Sequence, residues 1–152
     1  MPVVLQPKAA VVAVGSPIVK LSRRSAKRAC SHRVGINRHP EMTSGFQVLP
    51  EFTVVQHQRD IQLLHALKKF FGCGVVRTNH AERMAYRVRS LDHLNQRIIP
   101  FFEEHPLKSK KRVDFVKFRK VLQLMTKGEH LAIEGIEKIR AIAATMNTGS
   151  ER

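Results

Sequence analysis

Between Leu107 and Asp114 the chain reads Leu-Lys-Ser-Lys-Lys-Arg-Val-Asp, which places four cations, Lys108, Lys110, Lys111 and Arg112, within five residues. Such a cluster can hold a bent phosphate backbone, and a lysine beside a scissile phosphate can stabilise the charge of the transition state. Taken alone, a charge run is more often the solvated start of a helix. A second set of residues, Thr53, Arg77, Asn79, Arg87 and Arg89, carries side chains suited to reading base edges. Arginine matches the paired acceptors of guanine, and asparagine the acceptor and donor of adenine. A solvated surface is the competing reading here too. Gln56 ends a stripe of apolar residues, where a polar group needs a partner or a water. Metal chemistry finds no such support: Cys30 and Cys73 lie far apart, and the eight histidines show no zinc-ligand spacing.

Alternating residues predict the elements that must position these groups. Phe46, Val48, Phe52 and Val54 share one face of a strand running to His57, while Gln47, Glu51, Thr53 and Val55 share the other. By this alternation Gln56 falls on the apolar side. Val34 to His39 is the expected hairpin partner, with Pro40 to Gly45 as the connection, and Pro50 implies an edge or a bulge. Ile61, Leu64, Leu67, Phe70 and Phe71 recur at helical spacing and stop at Gly72, a typical C-terminal cap. A second hairpin joins Gly74–His80 to Met84–Ser90 around Ala81, Glu82 and Arg83, with Met84, Tyr86 and Val88 on one face and Ala85, Arg87 and Arg89 on the other.

Ser90 caps a helix carrying Leu91, Leu94, Ile98 and Phe102, kinked or shortened by Pro100, and two further helices span Lys110–Thr126 and Ala132–Asn147. The expectation is an α+β fold in the order ββαββααα: a four-stranded antiparallel sheet of two hairpins, backed by helices, with its uncovered face basic. Thr53, Arg77, Asn79, Arg87 and Arg89 belong to that face. A sheet of this kind can lay its strands in a DNA groove.

The chain has 152 residues, 43% of them hydrophobic, enough for one core. Lys and Arg number 27 against 12 acids, a net charge of +15 that calls for a polyanionic partner. Nucleic acid, ribosomal RNA and an anionic membrane surface all satisfy that charge. No apolar run approaches the roughly 18 residues a membrane span requires. The charge is unevenly spread: Lys8, Lys20, Arg23, Arg24, Lys27, Arg28 and Arg33 precede the first acid, Glu41. Residues 1–33 therefore read as a basic segment, disordered or loosely attached, and 34–147 as the folded domain with 148–152 as a tail. A transit peptide, a nucleic-acid arm or a tail without a role would share this composition.

Several segments in order are similar to the single-motif LAGLIDADG homing endonucleases, especially those encoded within introns of ribosomal RNA genes. They are Phe52-Thr-Val-Val-Gln-His, Phe70-Phe-Gly-Cys-Gly-Val-Val-Arg, Ile98-Ile-Pro-Phe-Phe-Glu, Pro106-Leu-Lys-Ser-Lys, and Gly128-Glu-His-Leu followed by Glu134-Gly-Ile-Glu-Lys-Ile. Together they span Ile36 to Asn147, roughly three quarters of the chain. The resemblance implies site-specific binding of double-stranded DNA at a ribosomal RNA gene, Mg²⁺-dependent phosphodiester cleavage, and a homodimer. It matches Gln56 to the family's active-site glutamine and Lys108 to its active-site lysine, with Lys110 close behind. Thr53, Arg77, Asn79 and Arg87 fall where the family reads DNA, and Lys111 is a phosphate contact.

The family also supplies a carboxylate for Mg²⁺ from a helix that ends just before the first strand. Cys30-Ser-His-Arg-Val-Gly-Ile echoes the continuation of that helix, but Arg28 stands where the acid belongs, and arginine cannot ligate a cation. The expectation is an inactive, truncated or frame-altered endonuclease. The alternatives are an intron RNA maturase or an unrelated basic assembly protein. The expected compartment is a bacterial cytoplasm or nucleoid, or an organelle matrix.

Overall fold

The computed structural model describes residues 30–147, so the expectations for residues 1–29 and 148–152 lie outside the described residues. Strand β1, Cys30–Arg38, pairs antiparallel with β2, Phe46–His57, in a register from Cys30 opposite Val54 to Arg38 opposite Phe46. The turn between them is closed by the His39 N–H donating to the Gly45 carbonyl at 2.9 Å. β1 thus begins at Cys30 rather than Val34. Cys30 and His32 continue the inward alternation of Val34 and Ile36, so Arg33, grouped by composition with the basic segment, is a strand residue.

Strands β3, Val75–His80, and β4, Arg83–Val88, form the second hairpin, and β4 pairs with β2 to give the sheet order β1-β2-β4-β3. All neighbours are antiparallel. Pro50 sits in an inner strand, but the pairing of β2 with β4 begins only at Phe52, so β2 is flanked on one side alone at the proline. That removes the demand for a second ladder at a residue with no N–H.

Four helices cover one face. Helix α1, Ile61–Phe71, follows a single 3₁₀ turn at Gln58–Asp60 and buries Leu64, Leu67 and Phe71. It ends at Gly72, whose φ of 72° is the left-handed cap conformation expected of glycine. The Arg97 guanidinium donates to the Phe71 carbonyl at 3.0 Å, satisfying one acceptor exposed at that end. Helix α2 covers residues 91–104, with the Ser90 hydroxyl accepting from the His93 N–H at 3.4 Å. Pro100 does not end it. Instead Leu94–Ile98 widens into a π turn just before Ile99–Glu104, which accommodates a residue that gives no N–H and whose ring crowds the preceding turn.

Helix α3 is Ser109–Thr126 and α4 is Ile133–Ala143, shorter at both ends than the expected 132–147. Gly135 is required within α4, because a Cβ there would meet the Glu129 carbonyl.

The core is one large cluster and one smaller. Phe52, Val54, Tyr86 and Val88 from the sheet pack against Leu64, Leu67 and Phe71 of α1, Ile98 and Phe102 of α2, and Phe115, Phe118 and Leu122 of α3. Val48 packs with Val121, Met125, Ile136 and Ile139 to seat α4. Every Phe and Tyr of the chain belongs to this helical side, a point that governs what the opposite face can bind. Among the described residues no helix is long and apolar enough to cross a membrane.

Candidate nucleic-acid interface

The register of the sheet orders its outer face into rows. Ser31, Thr53, Arg87 and Val75 make one; Val55, Ala85 and Arg77 the next; His57, Arg83 and His80 the last. On the other side Arg33 stands opposite Glu51. Arg77, Asn79 and Arg89 are exposed and Arg87 is half-buried, so four of the five residues singled out from the sequence stand open on this face. Thr53 does not: it is on the outer face but buried, and its hydroxyl has no hydrogen-bond partner among the described residues. In its row it stands between Ser31 on β1 and Arg87 on β4.

Two cations that sequence reasoning missed join the face. Arg33 had been assigned to the basic segment and Arg83 to the turn, yet both are exposed strand residues. The face therefore carries Arg33, Arg77, Arg83, Arg87 and Arg89, while Glu51 is the one acid within the four strands. It bonds to two of these arginines. The Arg87 Nε donates to its Oε2 at 3.2 Å, and the Arg89 Nη2 lies 3.5 Å from the same oxygen. Arg87 also donates from Nη2 to the Asn79 Oδ1 at 2.8 Å. At the far end the His57 Nε2 and Glu82 Oε1 are 3.0 Å apart, and the His57 Nδ1 accepts the Arg59 N–H.

Below the sheet, a second group gathers at one end. Gln56 follows Val54 by two residues on the inner face, about 7 Å further along the strand, opposite Met84 and half-buried. Val54 pairs with Cys30. The start of α3 reaches the same end: the Lys111 ammonium acts on both the Cys30 thiol and the His32 ring. Burial pushes Cys30 up to about 12 while Lys111 draws it back, and burial with Lys111 lowers His32 to about 3. Lys108 is the residue before the helix; it and Lys110 are exposed, and Lys111 is half-buried. Lys111, at the start of α3, thus lies toward the inner side of β1 and apart from the outer-face arginines, while Gln56 stands on the inner face of β2 two residues past Val54.

These residues do not fit a divalent cation. Mg²⁺ takes oxygen ligands, carboxylates foremost. Among the described residues no group of metal-binding side chains gathers in one place. Glu51 is engaged on the opposite face, and Glu41 is exposed in the hairpin connection. Asp114, an acid overlooked in the sequence, is buried and accepts the Asn147 N–H at 3.2 Å. Asn147 in turn donates from Nδ2 to the His32 carbonyl at 3.0 Å, so Asp114 clasps the end of the domain to β1. The carboxylate that metal-assisted hydrolysis needs is absent from this end among the described residues, and in the sequence no acid precedes Glu41.

Comparison with known proteins identifies the architecture. The LAGLIDADG endonuclease family matches residues 30–122, more than half of the chain. The crystal structure of the homing endonuclease I-TnaI is 51% identical, with a TM-score of 0.80 over 88% of both chains. The I-SmaMI LAGLIDADG homing endonuclease bound to cleaved DNA is 32% identical, with a TM-score of 0.81 over 88% of this chain and 44% of that one. Among curated proteins, probable intron-encoded endonuclease 2 of Neurospora crassa is 35% identical over 97 residues, 63% of this chain. The chain spans 22% of the length of that relative. With a family match over most of the folded region and half of the aligned residues shared with a homing endonuclease of the same fold, the chain belongs to the LAGLIDADG endonuclease family.

Proposed function

We infer that this protein binds a specific site in double-stranded DNA through the outer face of its sheet. One observation carries the reading: among the described residues the face presents five arginines and, apart from the His57 and His80 rings at its far end, no aromatic side chain, every Phe and Tyr lying on the core side. Cations neutralise phosphates on any nucleic acid, but single-strand binders also stack bases on a run of aromatic side chains, and this face has no Phe or Tyr and only the His57 and His80 rings at one end, His57 being held by Glu82 and the Arg59 N–H. Duplex DNA keeps its bases stacked and offers edges in the major groove, which Arg77, Arg87, Arg89 and Asn79 are placed to meet. That the I-SmaMI homing endonuclease, 32% identical, is bound to cleaved DNA supports DNA as the partner.

Gln56 and Lys108, with Lys110 beside it, form the residue set from which the family's hydrolysis would be served, the lysine opposing phosphate charge and the glutamine orienting a water. No step is assigned to a metal here, since the carboxylate to hold one is not among the described residues. The chain by itself is a binder that does not cut. Homodimer formation, a ribosomal RNA gene target and residence in an organelle matrix belong to the same proposal.

The test is a salt-series titration of the full chain against duplex DNA, single-stranded DNA and structured RNA. Duplex should be preferred, and log affinity should fall with log salt at about 0.9 per neutralised phosphate. Equal affinity for all three would reject the groove model. Preference for structured RNA would instead favour a maturase, the reading that the missing carboxylate otherwise leaves open.

A further inference from the structure

We propose that Glu51 is a positioning residue for base recognition: it anchors Arg87 on the sheet so that the guanidinium offers one fixed edge to the DNA. The proposal rests on the reading that the outer face meets duplex DNA. An acid in the middle of such a face opposes phosphate, and on affinity alone its presence is unfavourable. Yet Glu51 is well covered, its side chain 19% exposed, and it binds two of the five arginines.

Geometry gives the reason. A guanidinium has five N–H groups in a planar fork. In Arg87 the Nε–H goes to Glu51 and one Nη2–H to Asn79, which leaves the Nη1 amine and the second Nη2–H. Two acceptors on different strands hold the plane of the fork, since Glu51 lies on β2 and Asn79 on β3 while Arg87 lies between them on β4. What remains is the terminal Nη1/Nη2 edge, the pair of donors that spans the O6 and N7 of guanine. An unrestrained arginine would swing to the nearest phosphate, where it adds affinity and no discrimination. Glu51 holds Arg87 at a base and restrains Arg89 in the same way.

The experiment compares the full chain with Glu51→Gln and Arg87→Ala, each selected on a randomised duplex library with fixed flanks and then titrated in a salt series. Relative to the wild type, Arg87→Ala should erase preference at one or two base positions. Glu51→Gln should lower discrimination at those same positions at least about fivefold, near the low end of what a bidentate arginine supplies. It should also steepen the salt dependence by up to about 0.9 for each arginine released to a phosphate, with its melting temperature unchanged.

A purely structural role for Glu51 would lower the melting temperature and weaken all sequences in parallel, which overturns the proposal. If Arg87→Ala loses preference while Glu51→Gln keeps it, Glu51 is dispensable and the sheet reading stands without it. If the wild type shows no sequence preference, both readings fall together.

Discussion

Replacing His32 with phenylalanine should stabilise the protein, by an amount that grows as the solution is acidified. The ring is 1% exposed and stands among Phe52, Phe102, Phe115 and Phe118, with centroid separations of 5.0, 5.1, 5.3 and 5.0 Å. Neither ring nitrogen has a hydrogen-bond partner among the described residues, and one such buried group costs about 1–3 kcal/mol. Phenylalanine fills the same cage without that cost, less whatever strain its larger ring introduces. The pH term follows from the depressed pKa of about 3 against an ordinary 6.5. Above pH 6.5 the imidazole is neutral in both folded and unfolded chains, and its titration leaves stability untouched. Between 6.5 and about 3 the unfolded chain takes up a proton that the folded one refuses, so wild-type stability falls with pH. The slope is about 1.4 kcal/mol per pH unit. Lys111 acts in the same direction as burial. Urea melts of wild type and His32→Phe from pH 8 to pH 4 measure the difference, in which most other titrations cancel. A difference that does not change below pH 6.5 would refute the reasoning and mean that the ring gains a partner or water on protonation.

Arg77→Ala and Arg87→Ala should relax sequence preference, whereas Lys111→Ala, on α3 and away from the outer face, should weaken all duplexes nearly alike; library competition separates the two effects. Gly74→Ala should destabilise by about 2–5 kcal/mol in denaturant melts, because Gly74 has a φ of 92° and a Cβ would lie 2.7 Å from the Tyr86 ring and 2.8 Å from the Arg87 carbonyl. With Mg²⁺ and a plasmid carrying an intronless ribosomal RNA gene, the chain should leave the plasmid intact, while a version preceded by an acid-ending family helix should cut it. Discrete cleavage by the unaltered chain would show that another acid serves the metal.

The sheet and α1 were legible because their signals are local. Met84, Tyr86 and Val88 alternate with Ala85 and Arg87, and Leu64, Leu67 and Phe71 repeat at a helical period ended by Gly72; the observed elements follow both patterns. What escaped was decided by pairing. Arg33 and Arg83 lie at strand positions whose assignment depends on what stands opposite, Glu51 for one and His57 for the other. Composition pulled Arg33 into the basic segment, and the tight turn at Ala81 claimed Arg83. Thr53 was read correctly as outward, but its burial depends on the row that flanks it. Asp114 meets a residue 33 positions away, a contact that no spacing rule reports.

Recognition and hydrolysis also differ in what they require of the chain. The outer face is completed by β1 to β4, all within the described residues, and its arginines are set by strand register and by Glu51 and Asn79. Gln56, on the inner side of β2, and Lys108, just before α3, lie off that face. On the proposed reading, a change at Gln56 or Lys108 leaves the outer-face contacts in place, because the two groups lie on opposite sides of the sheet and share no side chain. Binding through the outer face would then be separable by substitution from any chemistry that Gln56 and Lys108 serve.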